Sequence, residues 1–203
     1  MFNVCPGCGE YNVEKEISGS SATCPQCHSS REFRKLPLYV VTGASGSGKT
    51  TVALHLSQTL SSHIVLDQDI LWCDAFNDPA NSYSTFRNLW LRLIKNINQA
   101  GRPVVLFGST VPDQFEQCVE RRYIEIIHYM ALVCDDAALE QRLKQRPGWR
   151  KSGSDENIKR MLGFNGWLRA NAVSTSPAMT LLDTTSETVP QTAKAIVDWL
   201  TCS

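Results

Sequence analysis

No stretch of this 203-residue chain approaches the run of about eighteen apolar residues that a membrane-spanning helix needs. Charge of one sign is also missing: 20 Lys and Arg balance 20 Asp and Glu. No overall field therefore draws the chain to nucleic acid or to a membrane surface. No apolar leader is expected either, because a cysteine pair starts at Cys5, where its hydrophobic segment would lie. The chain is expected in the cytoplasm. It has no internal repeat and no low-complexity tract, which excludes solenoids and disordered linkers. Its length suits one ordinary domain plus something small.

What it does have is cysteine, eight in all. A reducing compartment argues against disulfides. Four of the eight fall in two near-identical turns, Cys5-Pro6-Gly7-Cys8 and Cys24-Pro25-Gln26-Cys27. Each turn can aim backbone N–H groups at its thiolates, and two such knuckles make a tetrahedral four-sulfur site. That chemistry favours structural Zn²⁺, with iron second. A piece of 36 residues builds little core, so the metal must supply its folding energy. A thioredoxin-like redox pair fails on context, since no βαβ unit surrounds either turn. Residues 1–36 are thus expected to be a zinc ribbon, with His28 on its surface. Lys15, Arg31, Arg34 and Lys35 are cancelled by Glu10, Glu14, Glu16 and Glu32. A nucleic-acid footprint would be basic, so a structural cap or oligomer contact ranks ahead of strand binding. Cys73, Cys118, Cys134 and Cys202 have no motif spacing and read as core or surface thiols.

After Pro37 the pattern changes. Residues 43–50 read GASGSGKT, with Gly43, Gly48, Lys49 and Thr50 at the fixed positions of G-x-x-x-x-G-K-[ST]. A β-rich run at 38–41 precedes it and a helical stretch from Thr51 follows, the context that makes this string a phosphate-binding loop. The amides of Gly43, Ala44, Ser45, Gly46, Ser47 and Gly48 would wrap phosphate oxygens at the positive end of the new helix. Lys49 would serve the β- and γ-phosphates, Thr50 would ligate Mg²⁺, and Thr51 would reach the α-phosphate. Further strands are expected at 64–66, 104–107, 126–133 and 179–182. Helices are expected to about residue 60, over 83–99, after Pro112, from Asp135 or Asp136 to about 145, over 155–172 and over 189–200. Residues 70–82 read as irregular. Strands alternating with helices predict an α/β fold, a parallel sheet covered on both faces.

Ligands in such sheets bind at the carboxyl ends of the strands. Asp67 and Asp69 lie at the end of the second strand. One carboxylate can hold the Mg²⁺ water shell and the other can orient or deprotonate a substrate hydroxyl; alternatively one merely caps the next helix. Residues 142–169 carry Arg142, Lys144, Arg146, Arg150, Lys151, Lys159, Arg160 and Arg169 against Asp155 and Glu156. Phosphoryl transfer needs positive charge around the moving group. Arg142 and Arg146 share a helix face, and residues 147–153 read as a flap that would bring Arg150 down. Lys144, Lys159 and Arg160 read as a solvated face.

These features resemble the small P-loop kinases, the group of adenylate, shikimate and gluconate kinases and chloramphenicol phosphotransferase. The likeness covers about 38–200. It implies a P-loop NTPase three-layer sandwich, a five-stranded parallel sheet of order 2-3-1-4-5, and an arginine-bearing lid around 146–156 within a kinase domain at 37–203. It also implies Asp67 near Mg²⁺, Asp69 on the acceptor hydroxyl, Arg146, Arg150 and Arg142 around the nucleotide, Arg169 on the acceptor side, and Asp183-Thr184-Thr185 beside the adenine. Two departures stand out: the ribbon, and a third-strand end, Gly108-Ser109-Thr110, without paired glycines. The expected activity is ATP- and Mg²⁺-dependent phosphoryl transfer to a small hydroxyl or phosphate acceptor, a nucleoside or nucleotide by preference, by a monomer or homodimer. The rivals are a nucleic-acid end kinase or RNA-processing NTPase that grips its strand with the ribbon, and an ATP-gated binding module.

Overall fold

The computed structural model describes residues 3–11, 14–148 and 152–202. Three short strands come first: β1 (Glu16–Ser18), β2 (Ser21–Thr23) and β3 (Ser30–Glu32), a small antiparallel sheet. The rest alternates strand and helix: β4 (Leu38–Gly43), α1 (Lys49–Thr59), β5 (Ile64–Asp67), α2 (Ser84–Asn98), β6 (Val104–Phe107), α3 (Pro112–Glu116), β7 (Ile127–Val133), α4 (Asp136–Lys144), α5 (Asp155–Asn171), β8 (Met179–Asp183) and α6 (Val189–Cys202). The second sheet is all parallel in the order β5-β6-β4-β7-β8. That is 2-3-1-4-5 for these five strands, as the resemblance implies. The chain reverses its winding between β4 and β6, so a crevice opens at their carboxyl ends.

Strand alternation sends side chains to both faces. Leu38 and Val40 of β4 pack with Val104, Leu106, Trp90, Ile94, Phe115 and Leu168 on one face. Tyr39 and Val41 pack with Val105, Phe107, Val52, Leu56, Ile196 and Leu200 on the other. Both faces of β4 and β6 are buried, which is why these segments read as continuous apolar runs rather than alternating ones.

Several expectations need refinement. Residues 70–82 fall in and around three short 3-10 turns, Gln68–Leu71, Asp74–Phe76 and Pro79–Asn81. Asp135 stands at the start of α4 but makes no side-chain cap bond; its N–H donates to the Thr185 hydroxyl at 2.9 Å. The buried stripe of α2 holds Phe86, Trp90, Leu91 and Ile94, and also Arg87, Lys95 and Asn98. Lys95 is buried because Glu120 takes its ammonium at 2.6 Å. His28 is exposed, Cys118 and Cys134 are buried, and Cys73 and Cys202 are exposed. Among the described residues, no helix is long and apolar enough to cross a membrane.

Candidate active site

β4 ends at Gly43 and α1 begins at Lys49, so the glycine-rich segment is the turn between them. Gly43 is required by close approach: a Cβ there would meet Ser47 Oγ at 2.5 Å and the Leu132 carbonyl at 2.6 Å. Gly46 has φ +98°, and its Cβ would meet Leu139 at 2.8 Å. The loop is therefore pressed onto β7 and α4. The first turn of α1 has no side-chain cap and no acidic residue. Its orphan N–H groups and the positive end of the helix dipole fit a phosphate group.

Lys49 folds back over the loop, its ammonium donating to the Gly43 and Ala44 carbonyls at 2.7 and 3.0 Å. Burial pushes that ammonium down to about 8, against the pull of Asp69 and Asp67. The Thr50 hydroxyl donates to Asp67 Oδ2 at 3.0 Å. Asp67 Oδ1 accepts from the Asp69 N–H at 2.9 Å. The capping role and the position beside Thr50 thus coexist in one carboxylate. Thr50 and Asp67 together make the oxygen pair that a Mg²⁺ water shell would use. Arg146 donates to Ser45 Oγ at 2.7 Å, which brings the end of α4 over the loop.

Three cavities adjoin. The first is lined by Gly46, Gly48, Thr51, Arg142, Arg146 and Thr184, among others. The second holds Lys49, Thr50, Asp67, Asp69, Ser109 and Arg146. Gly46, Gly48, Thr51 and Arg146 belong to both. Asp69 and Ser109 in turn line a third cavity of about 310 Å³ with Trp72, Tyr83, Phe86 and Arg87. The result is one cleft running from Thr184, across the glycine loop, to the first turn of α2.

Arg142 lines the first cavity but spends donors on the β8–α6 loop, reaching the Thr184 carbonyl at 2.7 Å and that of Thr185 at 3.2 Å. Thr184 donates in turn to the Ser47 carbonyl at 3.2 Å. The loop expected beside the adenine is thus tied to the phosphate loop. Arg150 lies outside the described residues. Arg169 does not line any of the three cavities. α5 buries Leu168 and leaves Arg169 exposed. There Asp183 is its electrostatic partner, a carboxyl held below its usual range first by the Thr185 hydroxyl and N–H and then by Arg169 and Arg142.

The third cavity contains what sequence reasoning missed. Arg87 is 9% exposed. Among the described residues it has no ion pair; the Tyr83 ring lies 5.8 Å from its guanidinium carbon. Burial lowers its pKa. The available signal was its place in the apolar stripe of α2, four residues after Tyr83 and four before Leu91, where a charge is costly unless something pairs with it.

The four cysteines of the N-terminal knuckles converge. Their sulfurs all lie within 4.8 Å of one another. Cys5 and Cys27 are 3.6 Å apart, and Cys8 and Cys24 are 3.9 Å apart. A tetrahedron with metal–sulfur bonds of about 2.3 Å has edges of about 3.8 Å, so the set fits zinc. The Ser29 hydroxyl sits 3.1 Å from both Cys5 and Cys27. It is the leading cause that draws Cys5 down to about 5 and lowers Cys27; Cys8, against the Glu10 N–H that would lower it, is pushed up to about 12 by Cys27, burial, Cys5 and Cys24.

The chain matches the AAA domain family over residues 40–161. Among curated proteins no sequence matches it. Solved structures with the same fold include a sugar kinase from Janibacter sp. HTCC2649, with TM-score 0.59 and 18% identity over 82% of this chain and 95% of that one. Shikimate kinase from Acinetobacter baumannii in complex with shikimate aligns with TM-score 0.51 and 16% identity over 82% and 93%. A gluconokinase from Sinorhizobium meliloti 1021 aligns with TM-score 0.50 and 18% identity over 84% and 99%. At these identities the likeness speaks for the fold: the chain belongs to the AAA domain family and has the architecture of the P-loop kinases.

Proposed function

We propose that this protein is an ATP- and Mg²⁺-dependent phosphotransferase whose acceptor is a small molecule held against α2. The continuous cleft carries the reading: a nucleotide-sized groove ends at Lys49, Thr50 and Asp67, and a separate cavity opens from the same point. Asp69 stands at the junction of the two. The loop amides and Lys49 hold the phosphates. Mg²⁺, when bound by Thr50 and Asp67, neutralises phosphate charge. Arg146 supplies positive charge over the transferring group. The acceptor hydroxyl oxygen forms a bond to the γ-phosphorus as the bond to the bridging oxygen breaks. The hydroxyl proton passes to Asp69.

The acceptor cavity favours a flat molecule with an anionic group. Trp72, Tyr83 and Phe86 offer ring faces, and Arg87 is a buried cation in need of an anion. A nucleotide, a nucleoside with a polar edge for Gln68 and Gln114, or a ring-bearing hydroxy acid satisfies those walls. Residues 1–36, with Zn²⁺ on the four thiolates, would form a ribbon packed on a kinase domain at 37–203.

The test is a screen of Mg²⁺-ATP consumption over nucleosides, nucleotides, sugar acids and cyclic hydroxy acids. One acceptor class is expected to give a phosphorylated product, and Arg87→Leu is expected to raise its KM with little change in ATP affinity. ATP turnover that no acceptor stimulates would contradict the reading. Salt-sensitive binding and end phosphorylation of single-stranded RNA or DNA in the same screen would favour the nucleic-acid rival.

A further inference from the structure

We propose that the four-cysteine ribbon braces helix α2, so that metal on Cys5, Cys8, Cys24 and Cys27 sets how tightly the acceptor is held and leaves the nucleotide unaffected. The inference takes the third cavity as the acceptor site from the reading above.

α2 carries two sets of contacts. Its first turn and the residue before it present Tyr83, Phe86 and Arg87 to the acceptor cavity. Farther along, Arg92 and Lys95, with Gln99 just past the end, recur at three- and four-residue spacing and so share another face. That face meets the ribbon and the segment under it. The Gln99 amide clasps the Arg34 backbone on both sides: the Arg34 N–H donates to Oε1 at 3.0 Å and Nε2 donates to the Arg34 carbonyl at 3.1 Å. Lys95 Nζ lies 4.0 Å from the Tyr123 ring centroid, and its charge goes to Glu120 at 2.6 Å. Tyr123 is edge-on to Phe33 of the ribbon, with centroids 5.6 Å apart. Arg92 lies over Tyr11 at 5.9 Å.

The ribbon cannot hold this face by itself. Among its described residues the apolar core is Ala22, Phe33 and Ile17, completed by Tyr123 from outside the ribbon, and its strands are three residues each. So small a piece depends on its metal for folded structure. Without metal, Phe33 leaves Tyr123, the Gln99 clasp loses its partner, and water reaches the Lys95–Glu120 pair. A 15-residue helix is a rod about 22 Å long, so freedom at Gln99 reaches Arg87. The glycine loop is insulated. α1 packs through Val52, Ala53 and Leu56 against Ala193, Ile196 and Leu200, a cluster with no ribbon residue among the described ones.

The experiment compares hydrogen–deuterium exchange of the full-length protein as purified, with metal content measured, against protein stripped by a zinc-selective chelator. Where the metal resists chelation, the Cys8→Ser/Cys27→Ser double variant replaces the stripped sample. Stripping is expected to speed exchange of α2 amides about tenfold. α1 amides and the Mg²⁺-ATP Kd should stay within about twofold. Gln99→Ala, with zinc content unchanged, should speed α2 exchange in the same direction by a smaller factor. A protein purified without metal but with α2 well protected overturns the proposal. So does unchanged α2 exchange on stripping, or an equal acceleration of α1 and α2, which would mean general destabilisation. None of these readouts needs turnover or an acceptor, so failure of the acceptor screen and failure of the brace are separate results. With an acceptor in hand, stripping should raise its KM and leave kcat in place.

Discussion

Asp67 is the residue where a structural and a catalytic role can be separated by substitution. One carboxylate oxygen caps the 3-10 turn through the Asp69 N–H, and the other receives the Thr50 hydroxyl. Asp67→Ala removes both bonds, a loss of about 1 kcal/mol by analogy with other N-caps. For a chain of this length that lowers Tm by about 2–4 °C. Asp67→Asn keeps an oxygen for the Asp69 N–H and keeps the shape, so its stability should stay within about 0.5 kcal/mol of wild type. What both variants lose is the negative charge beside Thr50. If that charge draws Mg²⁺, both should weaken the Mg²⁺-dependent part of ATP affinity by about 10–100-fold, the range seen when residues around a metal site are altered. Thermal unfolding without ligand gives the first quantity, and ATP titration at several Mg²⁺ concentrations gives the second. An Asn variant with wild-type Mg²⁺ dependence would refute the reasoning and leave Asp67 as a cap alone.

Three other outcomes follow from the same geometry. In Gly108→Ala the new Cβ would lie 1.8 Å from Gln68 Oε1, so the Gln68 side chain must leave its 3.0 Å bond with Thr110; a buried bond lost there should cost about 1–3 kcal/mol and, in an acceptor assay, raise KM more than ATP affinity falls. Lys49, at about 8 in the free protein, should take up a proton when nucleotide binds at pH 8–9.5, measurable as a buffer-dependent calorimetric heat, and Mg²⁺-ATP affinity should fall as pH rises through that window. Because its folded pKa lies below the unfolded 10.5, the charged Lys49 penalises the fold below pH 8, and this penalty is relieved as pH climbs toward 10.5. Gly46→Ala, which forces a Cβ to 2.8 Å from Leu139 at φ +98°, should abolish nucleotide binding and lower Tm together, whereas Thr51→Val, at the exposed start of α1, should weaken binding with Tm unchanged.

The parts of the site that were legible in the sequence are those contiguous along it. GASGSGKT names a turn whose function depends on its own backbone, and two C-x-x-C turns name a four-sulfur cluster. The alternation of apolar runs and helical periods was enough to place every strand of the parallel sheet. The third cavity was not legible, because Gln68, Tyr83, Arg87, Thr110 and Gln114 come from separate segments that only the fold brings together. Arg87 and Lys95 were hidden for a further reason: on a helix a charge is read as facing solvent, and here both are buried. Arg169, carried over by likeness, lies on the exposed face of α5 next to the buried Leu168, one position on a helix turning a side chain by about 100°.

The most direct measurement is calorimetric titration of the wild-type protein and of Lys49→Ala with Mg²⁺-ATP. Wild type should bind one nucleotide per chain. Lys49→Ala should bind about 10–100-fold more weakly, the equivalent of one charge-assisted bond of about 1.5–3 kcal/mol, while still unfolding cooperatively. No heat from folded wild-type protein, or equal affinity in the two, would contradict the account.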